Sequence, residues 1–239
     1  MNIWSFAGPQ AIYDYPDAAT DWGGAPLQTW AVMHTLFEGS QRALFSMLFG
    51  AGMLLMVNRL DAREPGSDSA RIYYRRLGFL MLFGLFDLFV LLWPADILFI
   101  YALCGLVLYP LRKLEPRSLL LLALAVFAVQ GGLRAMNWQD SIRLRAEYMA
   151  VQADPALAAE ADPAREQRMA EWAAIEQRAH PDLDSPKTRE LIRVTGSGAI
   201  GEFLASKLQT SLILLLVVGV KWMLLDSLGA MLVGMALLR

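Results

Sequence analysis

The sequence predicts an all-α fold, a polytopic transmembrane helical bundle with one long extracytoplasmic loop. Three observations lead there. First, the 239-residue chain is 56% hydrophobic with a mean hydropathy of +0.39, too apolar for an ordinary soluble domain of this length. Second, two apolar runs, 77–93 and 97–111, are joined by Pro94, Ala95 and Asp96 and flanked at their outer ends by basic residues. Each run with its flanks approaches the ~20 residues a helix needs to cross a ~30 Å hydrocarbon core, so the pair reads as an antiparallel transmembrane hairpin. Third, only one long stretch, 137–206, is polar throughout.

Taken in order, residues 1–27 are rich in Pro, Gly, Asp and aromatic rings and read as an irregular loop at a membrane surface. Trp4, Tyr13, Tyr15 and Trp22 suit the interfacial belt. A helix is expected over 27–58, its second half apolar enough to be embedded. The connections 59–76 and 112–117 are dense in Arg and Lys, which assigns them to the cytoplasmic side. The spans 27–58, 77–93, 97–111 and 119–135 then run inward, outward, inward and outward in turn. Ser118, after Pro116, is expected to cap the fourth span.

The orientation leaves 137–206 outside the cytoplasm, as a loop inserted in a single membrane domain covering 1–239. It holds two helix-start signatures, Asp154-Pro155 and Asp162-Pro163. The second opens an amphipathic helix bearing Met169, Trp172 and Ile175 and ending before His180 and Pro181. Its periodicity fits the membrane surface, the bundle mouth or a partner equally. The run GSGAIG at 196–201 satisfies G-x-G-x-x-G, but a dinucleotide site needs a βαβ unit, and a membrane segment follows instead. The glycines therefore read as a flexible entry into the membrane. Residues 203–238 as one helix would measure about 54 Å, too long for one perpendicular span. A break near 219–226 and a span over 223–238 are predicted, with Ala230 and Gly234 as a small-xxx-small contact for a neighbouring helix.

Composition also excludes. A net charge of -2 without a large basic block argues against nucleic acid as a partner. The single cysteine, Cys104, rules out a disulfide framework and reads as a packing residue. No cleavable signal peptide is visible after Met1, and both ends have the look of cuts through a longer domain. No metal site is expected, since the two histidines are far apart in sequence.

Polar residues within the apolar spans are the candidates for chemistry, because burying them in lipid is expensive. Asp87 interrupts the first run of the hairpin. His34, Glu38 and Arg42 are spaced four apart, on one face of a continuous helix. Counting 1.5 Å per residue from Arg59 and Arg76, Asp87 lies roughly 16 Å and Arg42 about 26 Å above the inner surface. Asp96, Glu38 and His34 fall near or beyond the outer boundary. An outward-facing cavity lined by these five is one reading; the others are an interfacial ion-pair stripe of His34, Glu38 and Arg42, an Arg42–Asp87 pair that only holds two helices together, and a protonated Asp87 bonded to a backbone carbonyl. As a site, His34 or Asp87 would accept a proton and Arg42 would hold an anion or oxyanion, the parts acyl transfer requires. Glu38, Asp96 and Trp93 would complete a substrate-binding or structural cluster.

Four motifs in order give a resemblance: FSMLFGAGM (45–53), Arg75-Arg76 leading into LGFLMLFGL, WPADILFIYALCGL (93–106) and LGAMLVGMALLR (228–239). Together with NIWSFAGPQAIY (2–13), they resemble the YeiB-like family of bacterial membrane proteins, known as domain of unknown function 418. The resemblance covers most of the chain outside 137–206. It implies a further helix before Met1, carrying an Asp and an Arg-Gly pair, and several helices after Arg239. It also implies a multi-pass protein of the bacterial plasma membrane. Relatives commonly carry His at the position of Asp87, in the FGLFD stretch after Gly84, so a mechanism resting on that His does not transfer intact. The family is often grouped with membrane acyltransferases that modify sugars, which implies a small-molecule, glycan or lipid acceptor and an acyl thioester donor. No cofactor is evident from the residues themselves. A transporter or export component for a small anionic or amphipathic solute is the alternative, and an assembly protein without chemistry is a third.

Overall fold

The computed structural model describes residues 24–37, 39–63, 68–91, 96–154, 162–179 and 222–239, with isolated positions between 201 and 219. These residues are all-helical, with seven α-helices and one π-helical turn. In chain order they are α1 (Ala25–Val32), the π turn (Met33–Phe37), α2 (Ser40–Arg63), α3 (Ser69–Phe89), α4 (Leu98–Leu111), α5 (Pro116–Ala153), α6 (Pro163–Ala179) and α7 (Leu224–Leu238). The chain divides into two compact units, Met1–Glu38 with Leu133–Ser197 and Gly39–Gly132 with Gly198–Arg239.

The second unit contains the predicted hairpin. α3 and α4 are antiparallel: Ser69 Oγ lies 3.3 Å from Tyr109 Oη near one end, Tyr73 Oη donates to the Gly105 carbonyl at 2.7 Å, and Gly84 lies against Phe99 at the other end. A Cβ on Gly84 would fall 2.5 Å from the Phe99 amide, so glycine is what allows α3 this close to the start of α4. The stacked rings of Tyr73 and Tyr109 and the Arg112 guanidinium over Tyr109 close the opposite end of the hairpin.

α7 packs directly on α2. A side chain on Gly50 would overlap the Met231 carbonyl, and one on Gly234 would overlap the Met47 carbonyl, so the two backbones touch at their crossing. Gly234 thus serves the close approach that its small-xxx-small spacing predicts. Around this contact Leu54, Ile100, Leu108, Leu119, Met231, Leu232 and Met235 are fully buried and make one continuous core. α2, α4 and α7 begin at the same end: Tyr101 meets Arg42 and Ser46, Arg42 meets Asp226, and at the far end Arg239 hydrogen-bonds the Leu114 carbonyl. Arg59, Arg71, Arg75, Arg112 and Arg117 therefore belong to one end of this unit, and Arg42, Asp96 and Asp226 to the other.

The break predicted near 219–226 lies partly outside the described residues. α7 starts at Leu224, and the described residues just before it, Trp222 and Met223, have π-helical geometry. Two carbonyls there also accept from neighbouring helices: Gln130 Nε2 donates to Trp222 and Cys104 Sγ to Leu224.

Three expectations need correction. The helix expected over 27–58 is broken. A π turn follows α1, Gly39 takes a left-handed φ of 82°, and α2 starts afresh at Ser40, so His34 and Arg42 do not belong to one continuous helix. α5 begins at Pro116 rather than after Ser118, because proline suits the first helical position. It then runs through Asn137 to Ala153 for 38 residues, so the first part of the predicted loop is helix. At about 57 Å it is nearly twice a hydrocarbon core, and its polar second half extends past the apolar stretch.

In the first unit, α6 starts as predicted, with Asp162 Oδ1 accepting from the Ala164 amide and Pro163 at the first position. It rests on the end of α5 through a two-pronged pair, Arg168 with Glu147 at 2.7 and 2.8 Å, beside Tyr148 and Trp172. That hydrogen bonding holds the Glu147 carboxyl below its ordinary range and raises Arg168.

Candidate functional site

The polar centre of the second unit forms where two helices begin. Arg42 is the third residue of α2 and Asp226 the third residue of α7. Because the helices are parallel, their first turns lie side by side, and Arg42 Nη2 and Nε donate to Asp226 Oδ2 at 2.8 and 3.2 Å. A cation in a helix's first turn opposes the helix dipole, whereas an acid there is favoured. Asp226 supplies the negative charge that α2 lacks at this position. Both side chains remain about one-third exposed, 32% and 28%.

Behind the pair, the Arg42 carbonyl accepts from Ser46 Oγ at 2.9 Å and Tyr101 Oη at 3.3 Å, and the two hydroxyls lie 2.7 Å apart. Ser46 is fully buried and Tyr101 is 4% exposed, with Phe49 tilted against the tyrosine ring. One residue past Asp226, the buried Ser227 Oγ has no hydrogen-bond partner among the described residues. The result is a charged pair at the mouth and a hydroxyl pair beneath it, set in an apolar bundle. Such a pair can hold an anionic group on Arg42 if Asp226 moves aside.

The predicted residues divide among different places. Arg42 is at the centre, but its partner is Asp226, not Asp87. Asp87 is half-buried on α3 and makes no hydrogen bond or ion pair among the described residues. Asp96 is a cap: its carboxylate accepts from the amides of Leu98 and Phe99 at 3.0 and 3.1 Å, satisfying the free donors at the start of α4. His34 lies in the π turn of the other unit. Glu38 and Trp93 lie outside the described residues. Among the described residues no three His, Cys, Asp or Glu side chains converge as metal ligands would. Sequence reasoning missed Asp226, Ser46 and Tyr101. Asp226 was visible as one of three charges within 203–238, but its position opposite Arg42 depends on the packing of α7 on α2.

These features define a class: an all-helical bundle in which, among the described residues, two helices are long and apolar enough to cross a membrane, Ser40–Ala62 and Pro116–Ala153. Three proteins, all uncharacterised, are similar to the chain. Protein YxaH of Bacillus subtilis (strain 168) is 38% identical over 106 residues, covering 44% of this chain and 26% of that protein. The 39.9 kDa protein in the amylase 3' region of Bacillus acidopullulyticus is 33% identical over 93 residues, 36% and 26% of the two chains. Protein YeiB of Escherichia coli (strain K12) is 32% identical over 120 residues, 48% and 28%. The chain thus spans about a quarter of the length of the relatives it matches. No family model matches the chain, and no solved structure does.

Proposed function

We propose that the chain is part of a multi-pass protein of the bacterial plasma membrane, of the YeiB-like kind, that transfers an acyl group to an extracytoplasmic acceptor. The membrane reading is supported by the outward faces of α2, α3 and α5, where Phe45, Leu48, Leu82, Phe83, Leu121 and Leu124 are each 61–68% exposed, more large apolar side chains than a water-facing surface normally carries. Orientation follows the arginine-rich end, which belongs on the cytoplasmic side and leaves Arg42 and Asp226 in the outer half.

The observation that carries the chemical reading is the Arg42–Asp226 pair over the Ser46–Tyr101 hydroxyls. In acyl transfer from a thioester, an acceptor hydroxyl attacks the acyl carbon. The new C–O bond forms, the C–S bond breaks, and the hydroxyl proton passes through a base to the departing thiolate. Arg42 would stabilise the oxyanion of the tetrahedral intermediate. Asp226, already occupied by a guanidinium, is a poor base; the proton acceptor proposed is Asp87, a carboxylate on α3 that has no ion-pair partner among the described residues and that the substrate would have to bridge to Arg42.

A second reading, transport of a small anionic or amphipathic solute, is supported by a separate feature: α2 starts afresh after the left-handed Gly39, and its first turn lies beside that of α7. In transporters, the N-termini of discontinuous helices commonly point at the anionic group of a solute. There the solute would compete with Asp226 for Arg42.

The test uses the full-length gene. Arg42→Gln and Asp226→Asn are compared with wild type for protein level and for acyl groups on surface glycans and lipids. Loss of an acyl modification at normal protein level supports the enzyme. Unchanged acylation together with altered accumulation of an anionic solute supports transport instead.

A further inference from the structure

We infer that α3 carries a binding site for one anionic phospholipid of the arginine-rich leaflet, an inference that rests on the membrane reading above. A groove of about 420 Å³ runs along the outer face of α3, lined by Arg75, Gly78, Phe79, Met81, Leu82 and Leu85. Its wall is almost wholly apolar, and its floor exists because Gly78 has no side chain and faces open space. The one charged residue in the lining, Arg75, stands at the end where the basic residues gather. One turn before it, Arg71 is exposed on the same helical face. Among the described residues, neither arginine side chain has an ion-pair partner.

The dimensions select the occupant. From Arg75 to Leu85 the groove covers ten residues, about 15 Å at 1.5 Å per residue. That is half of a ~30 Å hydrocarbon core, the depth of one leaflet. A phosphate held between Arg71 and Arg75 therefore places an acyl chain along Phe79, Leu82 and Leu85, ending near the bilayer midplane. Soluble phosphate would use the arginines but leave the groove bare to water. A second protein helix would need an apolar stripe without its own cation at this level. Charge at one end and one leaflet of apolar length fit a single anionic lipid.

The experiment reconstitutes the full chain in nanodiscs of equal phosphatidylglycerol and phosphatidylcholine, re-extracts it in mild detergent, and counts retained lipids by mass spectrometry. Wild type is expected to retain phosphatidylglycerol selectively. Replacing both Arg71 and Arg75 by Gln should reduce that preference about thirty-fold, the worth of two basic side chains at a membrane surface. Gly78→Leu fills the floor without a clash and should lower retention although both arginines remain. Arg117→Gln, at the same end but off the groove, should change little. Equal losses in Arg117→Gln and the double variant, or no loss in Gly78→Leu, overturn the site. Carbonate extraction of cell membranes separates the two layers of the argument. If the chain washes off, the membrane reading fails; if it stays embedded while the variants retain lipid normally, the lipid site alone fails.

Discussion

Replacing Arg42 by Met and Asp226 by Asn, singly and together, measures what the pair contributes to the bundle. The side chains are 32% and 28% exposed, between the exposed pairs worth about 0.2–1 kcal/mol and the buried ones whose rupture costs about 3–5 kcal/mol. Two hydrogen bonds at 2.8 and 3.2 Å to one carboxylate oxygen raise the value above a surface contact. Residual solvent lowers it below a buried one, so a coupling of about 1–2 kcal/mol is expected. Arg42→Met leaves the partly exposed Asp226 carboxylate without its guanidinium and should cost about 2 kcal/mol. Asp226→Asn keeps a hydrogen-bond acceptor and should cost less. The double variant should be more stable than the sum of the two losses. Reversible unfolding in mixed micelles, followed by far-ultraviolet circular dichroism, gives the four free energies. Additivity within about 0.3 kcal/mol would refute the pairing, because residues that do not interact behave that way.

Two further outcomes follow from the same geometry. Gly234→Leu should force α7 off α2, because its side chain would occupy the position of the Met47 carbonyl. The expected loss is about 3 kcal/mol or more, whereas Gly52→Leu, with open space around it, should be nearly neutral; thermal aggregation of the two variants compares them. The attachment of α6 to α5 should depend on acid. The folded Glu147 carboxyl lies below its ordinary value of 4.5, so its contribution is complete above that value and is lost as the pH falls through the lower folded value. With Trp172 kept as the only one of the seven tryptophans, its emission should shift over that acid range in wild-type background and not in Glu147→Gln.

Much of the architecture was legible from local signals. The hairpin helices, the cap at Asp162 and the small-residue face of the last helix all rest on apolar runs, proline and glycine placement and helix caps. Those features act over a few residues and need no knowledge of neighbours. The stripe of His34, Glu38 and Arg42 failed for a local reason that spacing does not reveal: Gly39 takes a left-handed conformation that resets the helix, and any glycine is free to do so.

The sequence by itself determined the helical class, the apolar runs and the basic end, since hydrophobicity and charge along each helix are independent of how the helices meet. Only the tertiary structure decided that Arg42 faces Asp226, that Asp96 caps a helix, and that Ser46 and Tyr101 form the floor of the polar centre. Arg42 and Asp226 are 184 positions apart and meet because Gly50 and Gly234 let two parallel helices touch. Which charge finds which partner is set by that contact, and no periodicity along a single chain encodes it.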